Sequence, residues 1–250
     1  MTAALETVGL RKSFGALAAT RDVSLRVEAG ARHALIGPNG AGKTTLINLL
    51  TGVLRPDGGR VLLDGADVTG LPPQGRARRG ITRTFQINQL FADMTPLETV
   101  ALAVSERRGL GRRWWHPLAA HTDVLDEATA LLQRFGLGDS LRTRAGTLPY
   151  GKQRLLEIAI AIAGGPRVLL LDEPAAGVPE DERHEILAIV AALPEDVAVL
   201  LIEHDMDLVF SFARRISVLV DGALFVEGTP QDVARDPRVR EVYLGEAAHG

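Results

Sequence analysis

The sequence predicts an α/β fold in which the strands of a parallel sheet alternate with helices. Two apolar runs, 168–171 and 197–202, show the continuous hydrophobicity of strands that are buried on both faces. Between them, Glu180–Leu193 carries its apolar residues on one side, as a helix packed against a sheet does. A glycine-rich loop also joins a predicted strand, His33–Ile36, to a predicted helix, Thr44–Leu50.

The remaining elements indicate a sheet domain that is interrupted by helices. Thr95 and Glu98 form a capping-box pattern around a proline, so a helix is predicted to begin there. Further helices are predicted at 123–135 and 150–163, and further strands at 25–27, 61–63 and 81–85. Strand patterns are scarce between Gln86 and Pro166. We therefore expect a core domain made of 1–86 and 164–250, and a helical insert over 87–163.

The composition is that of a folded protein with one large or two small domains. The chain has 250 residues, of which 46% are hydrophobic and 24% are charged. The absence of cysteine excludes disulfides, thiolate metal sites and cysteine nucleophiles. The net charge of −3 gives no basic field for nonspecific binding of nucleic acid.

No segment has the pattern of a signal peptide or of a membrane-spanning helix. The first ten residues lack a basic region followed by an apolar one. The longest apolar stretches, 155–171 and 186–202, are interrupted by Gly164-Gly165-Pro166 and by Pro194-Glu195-Asp196. Neither offers the roughly 20 apolar residues that a span requires. We expect a soluble protein that can still dock on a membrane partner.

The strongest motif is the glycine-rich loop, which fits the pattern G-x-x-x-x-G-K-[ST] between a strand and a helix. Its backbone N–H groups and the helix N-terminus favour phosphate, a lysine reaches the β- and γ-phosphates, and a threonine hydroxyl binds Mg²⁺. The alternative is a simple glycine-rich turn. The predicted phosphate-binding residues are Gly37, Pro38, Asn39, Gly40, Ala41, Gly42, Lys43, Thr44 and Thr45.

Two carboxylates follow the apolar run 168–171. They are expected at the carboxyl edge of the sheet, where open α/β sheets bind ligands. Asp172 is predicted to hold Mg²⁺, and Glu173 to polarise the water that attacks the γ-phosphorus. The alternative is a pair of carboxylates that caps a helix.

Two further polar residues follow predicted strands. His204 comes after the run 197–202, at the same sheet edge, where an imidazole can contact phosphate and transfer a proton. A surface or capping histidine is the alternative. Gln86 follows the strand 81–85, and this position by itself predicts no function.

In their order along the chain, these motifs resemble those of an ABC-transporter ATP-binding subunit. More narrowly, the chain resembles the larger ATPase of high-affinity importers for branched-chain amino acids and their urea or amide relatives. The wider resemblance also includes Leu148–Gln153 and Leu171–Pro174. The segments that support the narrower resemblance are Lys12–Gly15, Phe85-Gln86-Ile87 with Leu90-Phe91, Tyr150–Gln153 with Leu156–Ala159, Pro174–Gly177, Ile202–Met206, and Glu227–Pro230 through Tyr243–Gly245.

The resemblance implies a P-loop NTPase (RecA-like) core with a mixed sheet, an N-terminal antiparallel β subdomain and an α-helical insert subdomain. It implies that ATP, with Mg²⁺, is hydrolysed at the cytoplasmic face of the inner or plasma membrane. The implied partners are transmembrane permease subunits, a second ATPase subunit in a homodimer or heterodimer, and indirectly a periplasmic or extracellular solute-binding protein. Nucleic acid is not an implied partner.

The resemblance also gives roles to single residues. Phe14 lies where an aromatic ring stacks on adenine, although a core phenylalanine is the alternative. Gln86 matches a glutamine that contacts Mg²⁺ and reports to the membrane partner. Lys43, Glu173 and His204 match the phosphate lysine, the general base and a switch histidine. The signature segment, which in this family covers ATP on the opposite subunit, is matched by Pro149, Tyr150, Gly151, Lys152 and Gln153.

Two positions depart from the family pattern. Pro149 stands where a serine is usual, and proline offers neither a hydroxyl nor an N–H to a phosphate. Pro179 stands where Asp or Asn is usual. Both segments serve the nucleotide of the partner, so the site that they complete is predicted to be slow. The alternative is that Gly151 and the helix dipole suffice.

Other interpretations stay open. Trp114-Trp115 is either core filling or an exposed partner patch, with nearby Arg112 and Arg113 as rim charges or lipid contacts. An exporter ATPase for lipid or lipopolysaccharide also fits the C-terminal segment. A non-transport ABC ATPase is disfavoured by the single P-loop, the absence of cysteine and the absence of a long heptad run.

Overall fold

The computed structural model describes residues 2–84, 91–110 and 121–247, with side chains to residue 242. Its strands are β1 (Ala3–Phe14), β2 (Leu17–Val23), β3 (Arg26–Glu28), β4 (Arg32–Ile36), β5 (Gly58–Leu63), β6 (Ala66–Asp67), β7 (Ile81–Arg83), β8 (Val168–Asp172), β9 (Ala198–Ile202), β10 (Arg215–Val220) and β11 (Ala223–Gly228). Its helices are α1 (Lys43–Thr51), α2 (Pro73–Arg78), α3 (Pro96–Arg107), α4 (Thr122–Arg134), α5 (Tyr150–Ala163), α6 (Glu180–Ala191), α7 (Met206–Phe212), α8 (Pro230–Arg235) and α9 (Pro237–Ala247).

One sheet is antiparallel and is built from the N-terminal strands. Its order is β2–β1–β5–β6, and β3 also pairs with β1. β1 and β2 form a hairpin in which Phe14 is paired with Leu17. The expected N-terminal antiparallel subdomain is confirmed.

The other sheet is mixed and has the order β11–β10–β4–β9–β8–β7. β10, β4, β9 and β8 run parallel, whereas β11 is antiparallel to β10. Within it, Leu35 is level with Ile202, and Ile202 is level with Asp172. β4, β9 and β8 therefore end in one row, as the positions of their motifs predicted.

A single buried cluster connects the two sheets through α1. It includes Leu5 and Val61 from the antiparallel sheet, Leu46 and Ile47 from α1, and Leu200 from β9. All five are fully buried, and each such side chain contributes roughly 1.5–3 kcal/mol of burial free energy. The helix that follows the glycine-rich loop is thus fixed by its apolar face.

The contacts of the chain divide it into two compact units. The first comprises 1–82, 167–173 and 193–250, and the second comprises 83–166 and 174–192. The sequence-based division assigned 174–192 to the core domain. The structure groups this segment with the helical unit because α6 packs against α5.

The helical unit is held by the apolar faces of α3, α4 and α5. Val100, Val124, Leu132 and Leu156 are fully buried there. The predicted capping box is present, since the Thr95 N–H donates to Glu98 Oε2 at 2.8 Å and the Glu98 N–H donates to Thr95 Oγ1 at 3.2 Å.

Some of the predicted elements and residues lie at or beyond the ends of the described ranges. The strand predicted over 81–85 ends at Arg83, Thr84 lies beyond it, and Phe85 falls outside the described residues. Gln86, the tryptophan pair and Arg112-Arg113 also lie outside them. No helix in the described part of the chain is long and apolar enough to cross a bilayer.

Candidate functional site

The glycine-rich loop lies against neighbouring backbone. Gly42 is the N-cap of α1 with a φ of 98°, and a Cβ there would lie 2.3 Å from the carbonyl oxygen of Ala19. A Cβ at Gly37 would lie 2.1 Å from the carbonyl oxygen of Leu219. Because β2 and β10 back the loop this closely, glycine is required at both positions.

The loop surrounds a lysine ammonium. Lys43 is the first residue of α1, and its Nζ donates to the carbonyl oxygens of Gly37 and, at 2.9 Å, Pro38. Thr44 is exposed in the first turn, and Asn39 lies at the exposed tip of the loop. The ammonium of Lys43, the N-terminus of α1 and the exposed hydroxyl of Thr44 together form a surface that can bind phosphate.

Two carboxylates end β8, one buried and one accessible. Asp172 is 5% exposed, whereas the Glu173 side chain is 31% exposed. The Glu173 N–H donates to the carbonyl oxygen of Ile202 at 2.9 Å, and its φ is 48°. A non-glycine residue with positive φ is uncommon, and such residues cluster at functional sites.

An imidazole faces the accessible carboxylate across the ends of β8 and β9. His204 Nδ1 lies 3.7 Å from Glu173 Oε1 and 3.8 Å from Glu203 Oε2. The His204 N–H also donates to Glu203 Oε2 at 3.3 Å. Asp205 caps α7 by accepting from the N–H of Leu208 at 3.3 Å. The histidine is therefore held between a strand end and a helix start.

Glu203 received no role from the sequence. The structure places it 2% exposed, beside the imidazole. The available signal was its position directly after the buried strand β9, which is also the position of Glu173 after β8.

The predicted adenine-binding residue is accessible. Phe14 ends β1 and is 48% exposed, so the alternative of a core phenylalanine does not fit. Lys12 Nζ lies 5.7 Å from the centroid of its ring.

The signature segment begins α5 in the second unit. Pro149 is its N-cap and makes no side-chain capping bond. Pro149 and Tyr150 are exposed, whereas Gly151 is buried. Lys152 Nζ donates to Ser140 Oγ at 3.3 Å, and Gln153 Nε2 donates to the carbonyl oxygen of Leu148 at 2.8 Å. Its exposed surface thus consists of the first two residues.

The comparisons with known proteins agree with this arrangement of motifs. The family model described as ABC transporter matches residues 20–176. The chain belongs to the ABC transporter family. A second model, described as branched-chain amino acid ATP-binding cassette transporter, matches residues 224–249 of this ABC cassette.

Two curated relatives match this ABC cassette over nearly its whole length. BraF of Pseudomonas aeruginosa, a high-affinity branched-chain amino acid transport ATP-binding protein, is 42% identical and covers 97% of this chain and 98% of its own length. LivG of Escherichia coli K12, which carries the same description, is 40% identical with coverages of 97% and 98%.

Solved ABC cassettes share the fold. The ADP conformation of an ATP-binding cassette of an ABC transporter superposes with a TM-score of 0.85 at 33% identity, covering 98% of this chain and 100% of that one. A nucleotide-free cassette gives a TM-score of 0.82 at 32% identity, with coverages of 97% and 99%. The predicted P-loop NTPase fold and the resemblance to ABC ATP-binding subunits are confirmed.

Proposed function

We propose that this chain hydrolyses ATP as the nucleotide-binding subunit of an ABC importer for branched-chain amino acids or related amides. The observation that carries the proposal is the single row of strand ends, in which the lysine loop after β4 and the carboxylates after β8 lie on either side of the end of β9. That arrangement suits a triphosphate with a water-activating group at its end.

The phosphates are bound by the loop 37–42 and the first turn of α1. Lys43 exchanges its contact with the loop carbonyls for contact with the β- and γ-phosphate oxygens. The accessible ring of Phe14 stacks on adenine.

The residues fit a hard cation that takes oxygen ligands. Thr44 and Asp172 would bind Mg²⁺, together with phosphate oxygens and water. Within the described ranges, no group of three or more His, Asp and Glu side chains forms a metal site of protein ligands alone. Bound Mg²⁺ would offset the negative charge of the β- and γ-phosphates.

Glu173 carries out the step of water activation. One of its carboxylate oxygens accepts a proton from the attacking water, and the water oxygen bonds to the γ-phosphorus. The bond from the γ-phosphorus to the bridging oxygen breaks, and that oxygen leaves with ADP while the γ-phosphoryl group becomes phosphate. His204, 3.7 Å away, orients this carboxylate and contacts the γ-phosphate. The Glu173 side chain is 31% exposed and is therefore accessible to a water molecule.

The assembly proposed around the subunit contains permease subunits, a second ATPase subunit and, indirectly, a solute-binding protein. The subunit sits at the cytoplasmic face of the membrane through the permease. The names of BraF and LivG and the match at 224–249 support an amino-acid importer over a lipid exporter.

The test is reconstitution in proteoliposomes with co-expressed permease subunits and the binding protein. We expect labelled leucine to enter only with ATP, and Glu173→Gln to abolish uptake. Glu185→Gln, an exposed charge removal on α6, is the matched control. ATP-dependent lipid export without amino-acid uptake would overturn the transport assignment, and full turnover in Glu173→Gln would overturn the assignment of the base.

A further inference from the structure

The ring of Tyr150 lies directly on the backbone of Gly177. A Cβ added to Gly177 would lie 3.2 Å from Tyr150 Cε1 and 3.3 Å from both Cζ and the hydroxyl oxygen. Gly177 has a φ of 75°, which disfavours other residues independently of the ring. Tyr150 begins α5, and Gly177 belongs to the segment 174–179 that precedes α6.

A buried cation also lies close to the ring. The Arg154 guanidinium lies 5.2 Å from the centroid of the Tyr150 ring. Arg154 is 3% exposed and forms an ion pair with Glu157 Oε2 at 2.8 Å. Because these groups share one face of α5, the ring position is fixed from within the helix.

The segment 174–179 has further anchors in the same unit. The Val178 N–H donates to the carbonyl oxygen of Ala175 at 3.2 Å, which closes a turn. Arg183 Nε donates to the carbonyl oxygen of Val178 at 2.9 Å. Val178 is 2% exposed, and its Cγ1 lies 3.8 Å from the Cβ position of Gly151. The first turn of α5 and the turn 175–178 thus form one packed body.

We propose that Tyr150 is a positioning residue that locks the segment 174–179 onto the first turn of α5. This segment begins directly after Glu173 in the chain. Its position therefore sets the path of the backbone that follows the proposed general base. The consequence is that the signature helix controls the turnover of its own chain through Tyr150 and Arg154. This inference rests on the hydrolysis proposed above.

Amide hydrogen exchange of the isolated chain, without nucleotide, tests whether Tyr150 fixes the segment 174–179. We expect Tyr150→Leu to speed exchange of the Val178 amide about fivefold or more, as loss of a cation–π contact implies, and Tyr150→Phe to retain protection. Phe225→Leu is the matched control, because Phe225 is 40% exposed beneath Arg238 at 5.5 Å. Unchanged exchange in Tyr150→Leu would overturn the lock.

Steady-state kinetics of the assembled ATPase test whether Tyr150 and Arg154 control turnover. We expect Tyr150→Leu and Arg154→Met each to lower kcat about fivefold with little change in KM, and the control Phe225→Leu to stay near wild type. Arg154 is buried, so its effect cannot come from touching nucleotide. A loss in Tyr150→Leu but not in Arg154→Met would overturn positioning in favour of direct contact. If the wild type does not hydrolyse ATP, the proposed function fails, whereas the exchange result still decides the lock.

Discussion

Glu173 Oε1 and His204 Nδ1 lie 3.7 Å apart, on loops that follow the neighbouring strands β8 and β9. Glu203 Oε2 approaches the same imidazole nitrogen at 3.8 Å from the buried side. The imidazole therefore faces one accessible carboxylate and one buried carboxylate. The His204 side chain is 68% exposed, so the imidazole is accessible to a ligand at this edge of the sheet.

Glu173→Gln should lower kcat of ATP hydrolysis by about 10²- to 10⁴-fold, the usual contribution of a general base. The amide keeps the shape of the side chain but no longer accepts a proton. The dissociation constant for ATP should change little, because the substitution leaves the phosphate-binding loop 37–42 and Lys43 unchanged. Turnover is measured by phosphate release, with Glu185→Gln as the control. Loss of ATP binding in Glu173→Gln would contradict this assignment.

Lys43→Ala should weaken ATP binding about 10- to 100-fold, because a charge-assisted hydrogen bond to phosphate is worth about 1.5–3 kcal/mol. Arg235→Ala, which removes an exposed cation in the last turn of α8, serves as the matched control. Titration with a fluorescent ATP analogue measures both variants. Equal affinities in Lys43→Ala and Arg235→Ala would contradict the role of the loop.

The parallel part of the mixed sheet was predictable because its strands are continuous apolar runs. β4, β8 and β9 lie within one residue of their predicted bounds, and so does the start of α6. The candidate site residues lie at or just beyond the ends of these strands, so the sequence alone predicted that they share one edge of the sheet. The contact between His204 and Glu173 was not predictable, because strand order is not encoded locally.

The hairpin of β10 and β11 was not predicted, although a signal was present. Asp221 and Gly222 join the two strands, and both have positive φ, as a type I′ turn requires. β1 was also not predicted as a strand, since its mixed polar and apolar residues fit a half-buried position only once its partners are known. The hairpin was thus encoded locally, whereas β1 depends on its pairing with other strands.

Phe14→Ala should weaken ATP binding by about 5- to 100-fold, since stacking of a base on an aromatic ring is worth about 1–3 kcal/mol. Phe14→Tyr should bind as the wild type does, because the ring is retained. Calorimetric titration with ATP and with inorganic triphosphate separates the adenine contribution. Phe225→Ala is the control for loss of an exposed ring. A parallel loss of triphosphate binding would contradict adenine stacking.

Pro149→Ser should stabilise α5 and speed the assembled ATPase. Pro149 occupies the N-cap without a capping bond, and a serine there contributes about 0.5–2 kcal/mol. Its hydroxyl would also offer a phosphate the donor that proline lacks. We expect a higher melting temperature and a several-fold higher kcat. Pro149→Ala, which restores the N–H without a hydroxyl, is the control. Unchanged kcat in Pro149→Ser would contradict a slow composite site.

A chain of polar groups runs from the buried His33 on β4 through the buried Ser217 on β10 to Glu227 on β11. His33 Nε2 lies 2.8 Å from Ser217 Oγ, which donates to Glu227 Oε2 at 2.7 Å. Glu227 Oε1 in turn accepts from Arg215 Nε at 2.9 Å. Because the serine proton goes to Glu227, His33 Nε2 is the protonated nitrogen that donates to Ser217. His33 Nδ1, fully buried, has no hydrogen-bond partner.

Burial lowers the pKa of His33 from 6.5 to about 4, and Glu227 offsets only part of this effect. The unfolded chain therefore binds a proton between pH 6.5 and about 4 that the folded chain does not. The resulting stability is complete above pH 6.5 and declines as the pH falls, by about 2 kcal/mol at pH 5. His33→Gln keeps an N–H donor that does not titrate. Chemical denaturation at pH 7 and pH 5 should show a smaller loss in His33→Gln than in the wild type, and parallel losses would contradict a neutral buried His33.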